Sequence, residues 1–191
     1  MKSLKEIQKE LRINLDKDRY CHTIGVMYTA AALAMSHEID MEKSMLAGLL
    51  HDCAKCIPNA EKYKLCEEYH IELNPSEFKN PVLVHAKLGA YLASSYYHIS
   101  DETILNAIAN HTTGRPSMTT LEQLIFIADY IEPGRKELPG LKLIRSLAFH
   151  DMDEAIMLIL ENTLIYLNKI NKTIDPMTEM TYQYYKEKQN R

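Results

Sequence analysis

TTLEQLIFIADYIEPGR, residues 119–135, reads as a helix that opens on a capping box and carries a carboxylate where a core residue belongs. Thr119 and Glu122 stand three positions apart ahead of an apolar run, the spacing at which each side chain satisfies the other's backbone N–H. Asp129 follows Leu121 and Ile125 at i+8 and i+4 and therefore shares their face. An ionised carboxylate on such a face is costly to bury unless a cation or hydrogen-bond donors meet it. The Pro133-Gly134 turn then ends the helix.

The same pattern recurs along the chain. Ser3 and Glu6 form another capping box, and Asp40 caps a helix through Leu46, Leu49 and Leu50. Asn80-Pro81 predicts a cap and an N1 proline for VLVHAKLGAYLA. Ser100, with Asp101 and Glu102 in the first turn, opens TILNAIANH, and Asp151 and Asp175-Pro176 start two further helices. Alternating, strand-like runs are hard to find and only 6 glycines occur, so the expected fold is all-α. Breaks fall at Pro58-Asn59, Asn74-Pro75, Gly114-Arg115-Pro116 and EPGRKELPG (132–140). The last is the best candidate boundary, although a compact helical domain with a C-terminal extension fits equally.

Five helices turn a His or Asp onto, or to the edge of, an apolar stripe. His22 lines up with Val26, Thr29 and Leu33, and Asp52 follows Gly48 and Met45. His85 lies above Leu88, Gly89 and Leu92, and His111 follows Ile104, Ala107 and Ile108. One inward histidine is ordinarily a hydrogen-bonded core residue. Five helices that each do this point instead to convergence around a divalent metal, for which a helical bundle is a natural frame. His37, His70, His98 and His150 lack this context and read as surface residues.

Bulk composition narrows the function. Of 191 residues, 46% are hydrophobic and 25% charged, ordinary for a soluble domain able to bury a core. The net charge of −4 argues against binding a nucleic-acid polymer. The N-terminal MKSLKEIQKE lacks a signal-peptide core, and no apolar run approaches the roughly 18 residues of a membrane span. A cytoplasmic protein without a membrane partner is expected, its four cysteines reduced.

His22, His51-Asp52 and Asp129 together resemble the H…HD…D signature of HD-domain metal-dependent phosphohydrolases, and His85 and His111 add the pair seen in two-metal members. RYCHTIGV (19–26), AGLLHDCAK (47–55), HAKLGAYLA (85–93) and NHTTGRPSMTTLEQLIFIADYIEPGR (110–135) are similar to the YqeK-type symmetrical diadenosine tetraphosphate (Ap4A) hydrolases. The resemblance covers about residues 15–140, with 141–191 as C-terminal helices packing on the core of a single HD domain. It implies an all-α HD-domain helical bundle, a dinuclear iron centre, and cleavage of Ap4A into two ADP. It also implies one metal on His22, His51, Asp52 and Asp129, and a second on His85, His111 and a bridging oxygen of Asp52. A homodimer is left open.

Imidazole and carboxylate donors by themselves suit iron, manganese, cobalt or zinc alike. Two such ions lower the pKa of a bridging water toward neutrality, producing the hydroxide that would attack phosphorus. A carboxylate suits bridging because it offers one oxygen to each ion. Asp52, Lys55, His85 and His111 are the candidate catalytic residues, Lys55 lying one helical turn past the dyad, where it would reach a phosphate oxygen. Arg115 and Arg135, in Gly/Pro turns, are equal candidates for gripping phosphate, against a plain surface charge for each. Thr112, Thr113 and Gly114 offer hydroxyl and backbone donors beside His111, or simply stop the helix.

Cys53 and Cys56, i and i+3 on the expected helix after the dyad, have no second pair to complete a zinc site and no preceding strand for a thioredoxin-like motif. They read as incidental. Alternatives to Ap4A hydrolysis are an HD-domain enzyme for another nucleotide phosphoester, a non-catalytic nucleotide- or metal-binding regulatory module, and, last, a redox protein built on the cysteines.

Overall fold

The computed structural model describes residues 2–189, and eleven α-helices account for its regular structure, with no strand among the described residues. The Ser3–Glu6 capping box starts α1 (Leu4–Asn14), and Asp16 accepts from the Arg19 N–H to start α2 (Lys17–Ser36). Asp40 caps α3 (Met41–Leu50). Gly48 lets α3 press against α2: a Cβ there would stand 3.1 Å from the Met27 Cα.

The central element is α8 (Thr120–Ile131), begun by the expected Thr119–Glu122 box. Nine of its residues are buried, Leu121 through Ala128 and Ile131. It packs against α2, α3 and α7 (Glu102–Asn110) on one side, and against α9 (Leu141–Leu147) and α10 (Met152–Lys169) on the other. Full burial of each large apolar side chain contributes about 1.5–3 kcal/mol, so this stripe anchors the bundle. Ala155, Ile156, Ile159 and Leu160 of α10 and Tyr185 of α11 (Pro176–Gln189) belong to the same core as α8. The buried Gln123 side chain donates to both the Tyr185 hydroxyl (3.1 Å) and Asp153 (2.9 Å), so α10 and α11 are held on α8 by polar contacts as well. A smaller apolar cluster around Ala54, Cys66, Val84 and Leu88 fixes α4 (Asn59–Glu68) to α6 (Val84–Ser95). The short α5 (Pro75–Lys79) carries its own Asn74–Glu77 capping box. No helix among the described residues is long and apolar enough to cross a membrane.

Several local expectations need correction. The helix expected from Asn80-Pro81 begins at Val84, because Asn80 closes α5 and the 81–83 segment is a turn tied by Leu83 N–H to Asn80 O, 3.0 Å. Asp101 rather than Ser100 caps α7, its carboxylate accepting from Thr103 N–H. Cys53 and Cys56 are not helical: α3 ends at Leu50, and i→i+3 bonds from Cys53, Lys55 and Ile57 wind residues 51–57 into successive tight turns. His37 is half-buried rather than a surface residue, its Nε2 donating to Ala148 O at 2.7 Å.

Candidate metal centre

The polar groups predicted to interrupt the stripes meet in one place. His22 comes from α2, His51 and Asp52 from the turn closing α3, His85 from the start of α6, His111 from the end of α7, and Asp129 from the last turn of α8. His51, Asp52, His85 and His111 are buried, while His22 and Asp129 are half-buried and His22 lines a cleft.

All four rings are oriented the same way. His51 Nδ1 donates to Gly48 O and His111 Nδ1 to Ile108 O, each at 2.7 Å, and His85 Nδ1 donates to Val82 O. His22 Nδ1 donates to the Glu132 carboxylate at 3.0 Å. Every partner is an oxygen acceptor, so Nδ1 carries the proton and Nε2 presents a lone pair to the common centre, the arrangement of metal-binding histidines.

Asp52 stands between two pairs of these nitrogens. Its Oδ2 lies 3.4 Å from His51 Nε2 and 3.8 Å from His22 Nε2. Its Oδ1 lies 2.9 Å from His85 Nε2 and 3.6 Å from His111 Nε2. Asp129 Oδ1 is 2.9 Å from His22 Nε2 and 3.9 Å from His51 Nε2.

These contacts fit a cation better than they fit one another. The His85 and His111 Nε2 atoms approach to 3.1 Å, where two lone pairs repel unless a positive charge lies between them. Burial lowers the His85 pKa to about 4, outweighing the opposing pull of Asp52, so at neutral pH a proton is not that charge. His22 Nε2, His51 Nε2 and Asp52 Oδ1 are buried without an aligned hydrogen-bond partner, a concentration of orphaned donor atoms that a metal would satisfy. His22, His51 and Asp129 offer ligand atoms within 4.8 Å of one another, as do His51, Asp52 and His111. The donor set therefore suits a divalent metal.

Cations surround the carboxylates. Lys55 Nζ is 3.1 Å from His85 Nε2 and 3.7 Å from Asp52 Oδ1, so the tight turns carry it to the same side as the dyad. Arg135 Nη2 meets Asp129 Oδ1 at 2.7 Å, and Arg19 Nη1 meets Asp52 Oδ2 at 2.7 Å. Burial alone would raise the Asp52 carboxyl, but the close approach of His51, then of His111 and His85, holds it well below the usual range. Burial likewise opposes ionisation of Asp129, and His22, His51 and Arg135 together hold its pKa far down. A cleft of about 840 Å³ opens beside the centre, lined in part by Lys17, Arg19, His22, Arg135 and Lys136.

The Arg115 group lies in a different setting. Arg115 forms a two-pronged pair with Glu122 at the opposite end of α8 from Asp129, Nε to Oε1 at 2.7 Å and Nη2 to Oε2 at 2.6 Å. Gly114 has φ +62° and packs so closely on α11 that a Cβ would lie 2.8 Å from Thr181 Cγ2. Thr113 donates to Gly114 O, while Thr112 is half-buried next to His111.

Three contributors escaped the sequence. Arg19 sits inside RYCHTIGV, but its charge resembles any first-turn charge. Glu132 is buried, and its bond to His22 spans 110 residues. Lys62 on α4 is buried and donates to Asn59 Oδ1 at 3.4 Å, and burial followed by the charge of Lys55 lowers its pKa. A lysine in the otherwise polar NAEKYKLCEE gives no sign of burial.

The two thiols face different partners. Cys53 Sγ faces Gly89 O at 3.5 Å, and Cys56 Sγ donates to Asp16 Oδ2 at 3.3 Å. Burial, then the neighbouring Asp52 charge, raises the Cys53 thiol to about 12, so no reactive thiolate forms at neutral pH. All four cysteines are free.

A helical bundle whose histidines and aspartates converge in this order defines a metal-dependent hydrolase scaffold, and the chain belongs to the HD domain family, whose model matches residues 19–134. It is similar to the symmetrical bis(5'-nucleosyl)-tetraphosphatase of Bacillus subtilis, 41% identical over 170 residues that span 89% of this chain and 90% of that protein. The protein of the same description from Halalkalibacterium halodurans is 43% identical over 169 residues, 88% of this chain and 89% of the other. A crystal structure from Clostridium acetobutylicum, described as that of a predicted HD superfamily hydrolase involved in NAD metabolism, superposes with a TM-score of 0.94 at 39% identity, covering 98% of this chain and 99% of that one.

Proposed function

We propose that the chain hydrolyses Ap4A symmetrically to two ADP at a dinuclear His/Asp centre. The observation that carries this is the placement of Asp52, one oxygen facing the His22–His51 pair and the other facing His85–His111. One ion would take His22, His51, Asp52 and Asp129, and the other His85, His111 and Asp52. Iron is the proposed metal, on the family resemblance, from a donor set that also suits manganese, cobalt and zinc. When bound, two such ions supply Lewis acidity and a water activated near neutral pH.

The chain's own residues bind and orient the polyphosphate. Arg19 pairs with Asp52 and Arg135 with Asp129. Both guanidiniums line the cleft beside the centre, where they would grip phosphate in a planar, two-pronged way. Lys55 donates to a phosphate oxygen from the other side of Asp52, and the buried Lys62 is close enough to feel its charge. Cations thus flank the centre in two groups, one for each ADP half. Thr112 offers its hydroxyl beside His111, whereas Gly114 and Arg115 act in packing. The oxygen of one water bonds to a central phosphorus as the bridging P–O bond breaks, and both products leave as ADP.

Product identification tests the proposal. Metal-loaded protein given Ap4A yields ADP as the sole nucleotide product, and prior removal of metal by a chelator abolishes turnover. ATP plus AMP, or faster turnover of a nucleoside monophosphate in a substrate panel, would overturn it.

A further inference from the structure

We infer that Glu132 is a positioning residue for the metal centre, and that Gly25 is glycine in order to admit it. The inference rests on the metal-centre reading above and extends it to two residues outside the ligand set.

Glu132 is 3% exposed, and both of its oxygens are used. Oε1 accepts from His22 Nδ1 at 3.0 Å, and Oε2 accepts from the Gly134 N–H at 2.5 Å. Its own main chain is pinned as well: Arg145 donates to Ile131 O and to Glu132 O, both at 2.9 Å. The other three histidines obtain an Nδ1 acceptor locally, from the carbonyl three residues back. His22 sits inside the regular helix α2, where backbone carbonyls bond along the helix, and it borrows an acceptor from the far end of α8. Glu132 thereby fixes the proton on Nδ1 and leaves Nε2 as the lone pair facing Asp129 and Asp52. The same carboxylate holds Gly134, next to Arg135, so one buried group sets both a candidate metal ligand and the turn that carries a candidate phosphate ligand.

Gly25 supplies independent support. It lies one helical turn after His22, and a Cβ there would stand 2.5 Å from Glu132 Oε2 and 3.3 Å from its Cδ. No other atom comes closer than the Glu132 side chain itself. The obstructing atoms are the end of a flexible side chain, so with alanine at 25 the helix keeps its place and the carboxylate swings away. Alanine also favours a helix interior over glycine, so this change separates the site from the fold.

The test uses the full chain stripped of metal and titrated with Co²⁺ against a competing chelator, with thermal unfolding measured in parallel. Glu132→Gln presents an amide NH2 to one of two N–H donors and cannot accept from both. It is expected to weaken Co²⁺ binding 10- to 100-fold, the usual effect of removing a histidine's outer partner. Gly25→Ala is expected to weaken it at least tenfold while the melting temperature falls less than in Glu132→Ala, since the helix gain of alanine offsets part of the cost of displacing a buried carboxylate. Combined with Glu132→Ala, it adds nothing beyond Glu132→Ala alone. In zinc-loaded protein, ¹⁵N spectra are expected to show the His22 proton on Nδ1, and this signature is lost in both single variants. Variants that bind Co²⁺ within twofold of the parent, whatever their stability, would overturn the inference alone. A parent chain that takes up no Co²⁺ would overturn it together with the metal reading.

Discussion

Helix α8 carries an arginine–carboxylate pair at each end, and the two pairs could hardly differ more in how their charge is spent. At the N-terminal end the Glu122 carboxylate is fully engaged, with two bonds from Arg115, one from Asn110 Nδ2 at 2.9 Å and one from the Thr119 N–H at 2.7 Å. At the C-terminal end Arg135 gives Asp129 a single side-chain contact, through Nη2, and spends its Nε on the Asp129 carbonyl. The same Asp129 oxygen faces His22 and His51. A saturated carboxylate gains little from a further partner, which suits a role in the fold. An under-supplied carboxylate beside lone-pair nitrogens is where a metal, and then an anion, has something to gain.

This contrast can be broken most sharply at its reactive end. Asp129→Asn should lower kcat/KM for Ap4A about 10³-fold, on the scale of losing a main electrostatic group of a site, while the protein stays folded. Steady-state kinetics with metal content measured alongside would show it. At the saturated end, Arg115→Ala should leave kinetic constants within about twofold of the parent and cost about 2 kcal/mol of stability, because it strands a buried carboxylate. Chemical denaturation reads this directly. Arg135→Ala should do the reverse, raising KM for Ap4A about tenfold with little change in stability, since its guanidinium is one-third exposed.

A smaller effect lies away from α8 and calibrates the others. Asp101 caps α7 and pairs with Lys43 at 2.6 Å, and the Lys43 and Thr103 hydrogen bonds lower its pKa to about 2. A carboxyl depressed on folding stabilises at pH above its unfolded value, near 4, and that contribution fades as pH falls toward 2. Asp101→Ala should cost about 1 kcal/mol at neutral pH, as a lost cap does, and flatten the stability profile across that acid window. Melting curves between pH 2 and 6 would reveal both.

Much of the centre was legible because each candidate ligand disturbs a local pattern. Asp129 interrupts LIFIADYI, and His85 and His111 fall on the buried faces of their helices. The Nδ1 partners of His51, His85 and His111 are local too, being carbonyls three residues earlier. Arg115 and Arg135 looked alike because both stand in Gly/Pro turns, and what separates them is how many donors reach each carboxylate, a property of assembled packing. Glu132 was hidden for the same reason, since its partner lies 110 residues away. Helix ends shifted by one to three residues where neighbouring caps compete, as Asn80 serves the helix behind it rather than the one ahead. The turns after Leu50 displaced the cysteines from a helix yet kept Lys55 beside the dyad, because an i→i+3 winding still returns residue 55 to the side of residue 52.

The central claim is that Asp52 joins two metal ions, one on each of its oxygens. Anomalous diffraction from crystals of metal-loaded protein tests it most directly. The account predicts two peaks about 3.5–4 Å apart, the usual spacing of two-metal hydrolytic sites, with the Asp52 carboxylate between them. A single peak, or peaks remote from Asp52, would contradict it.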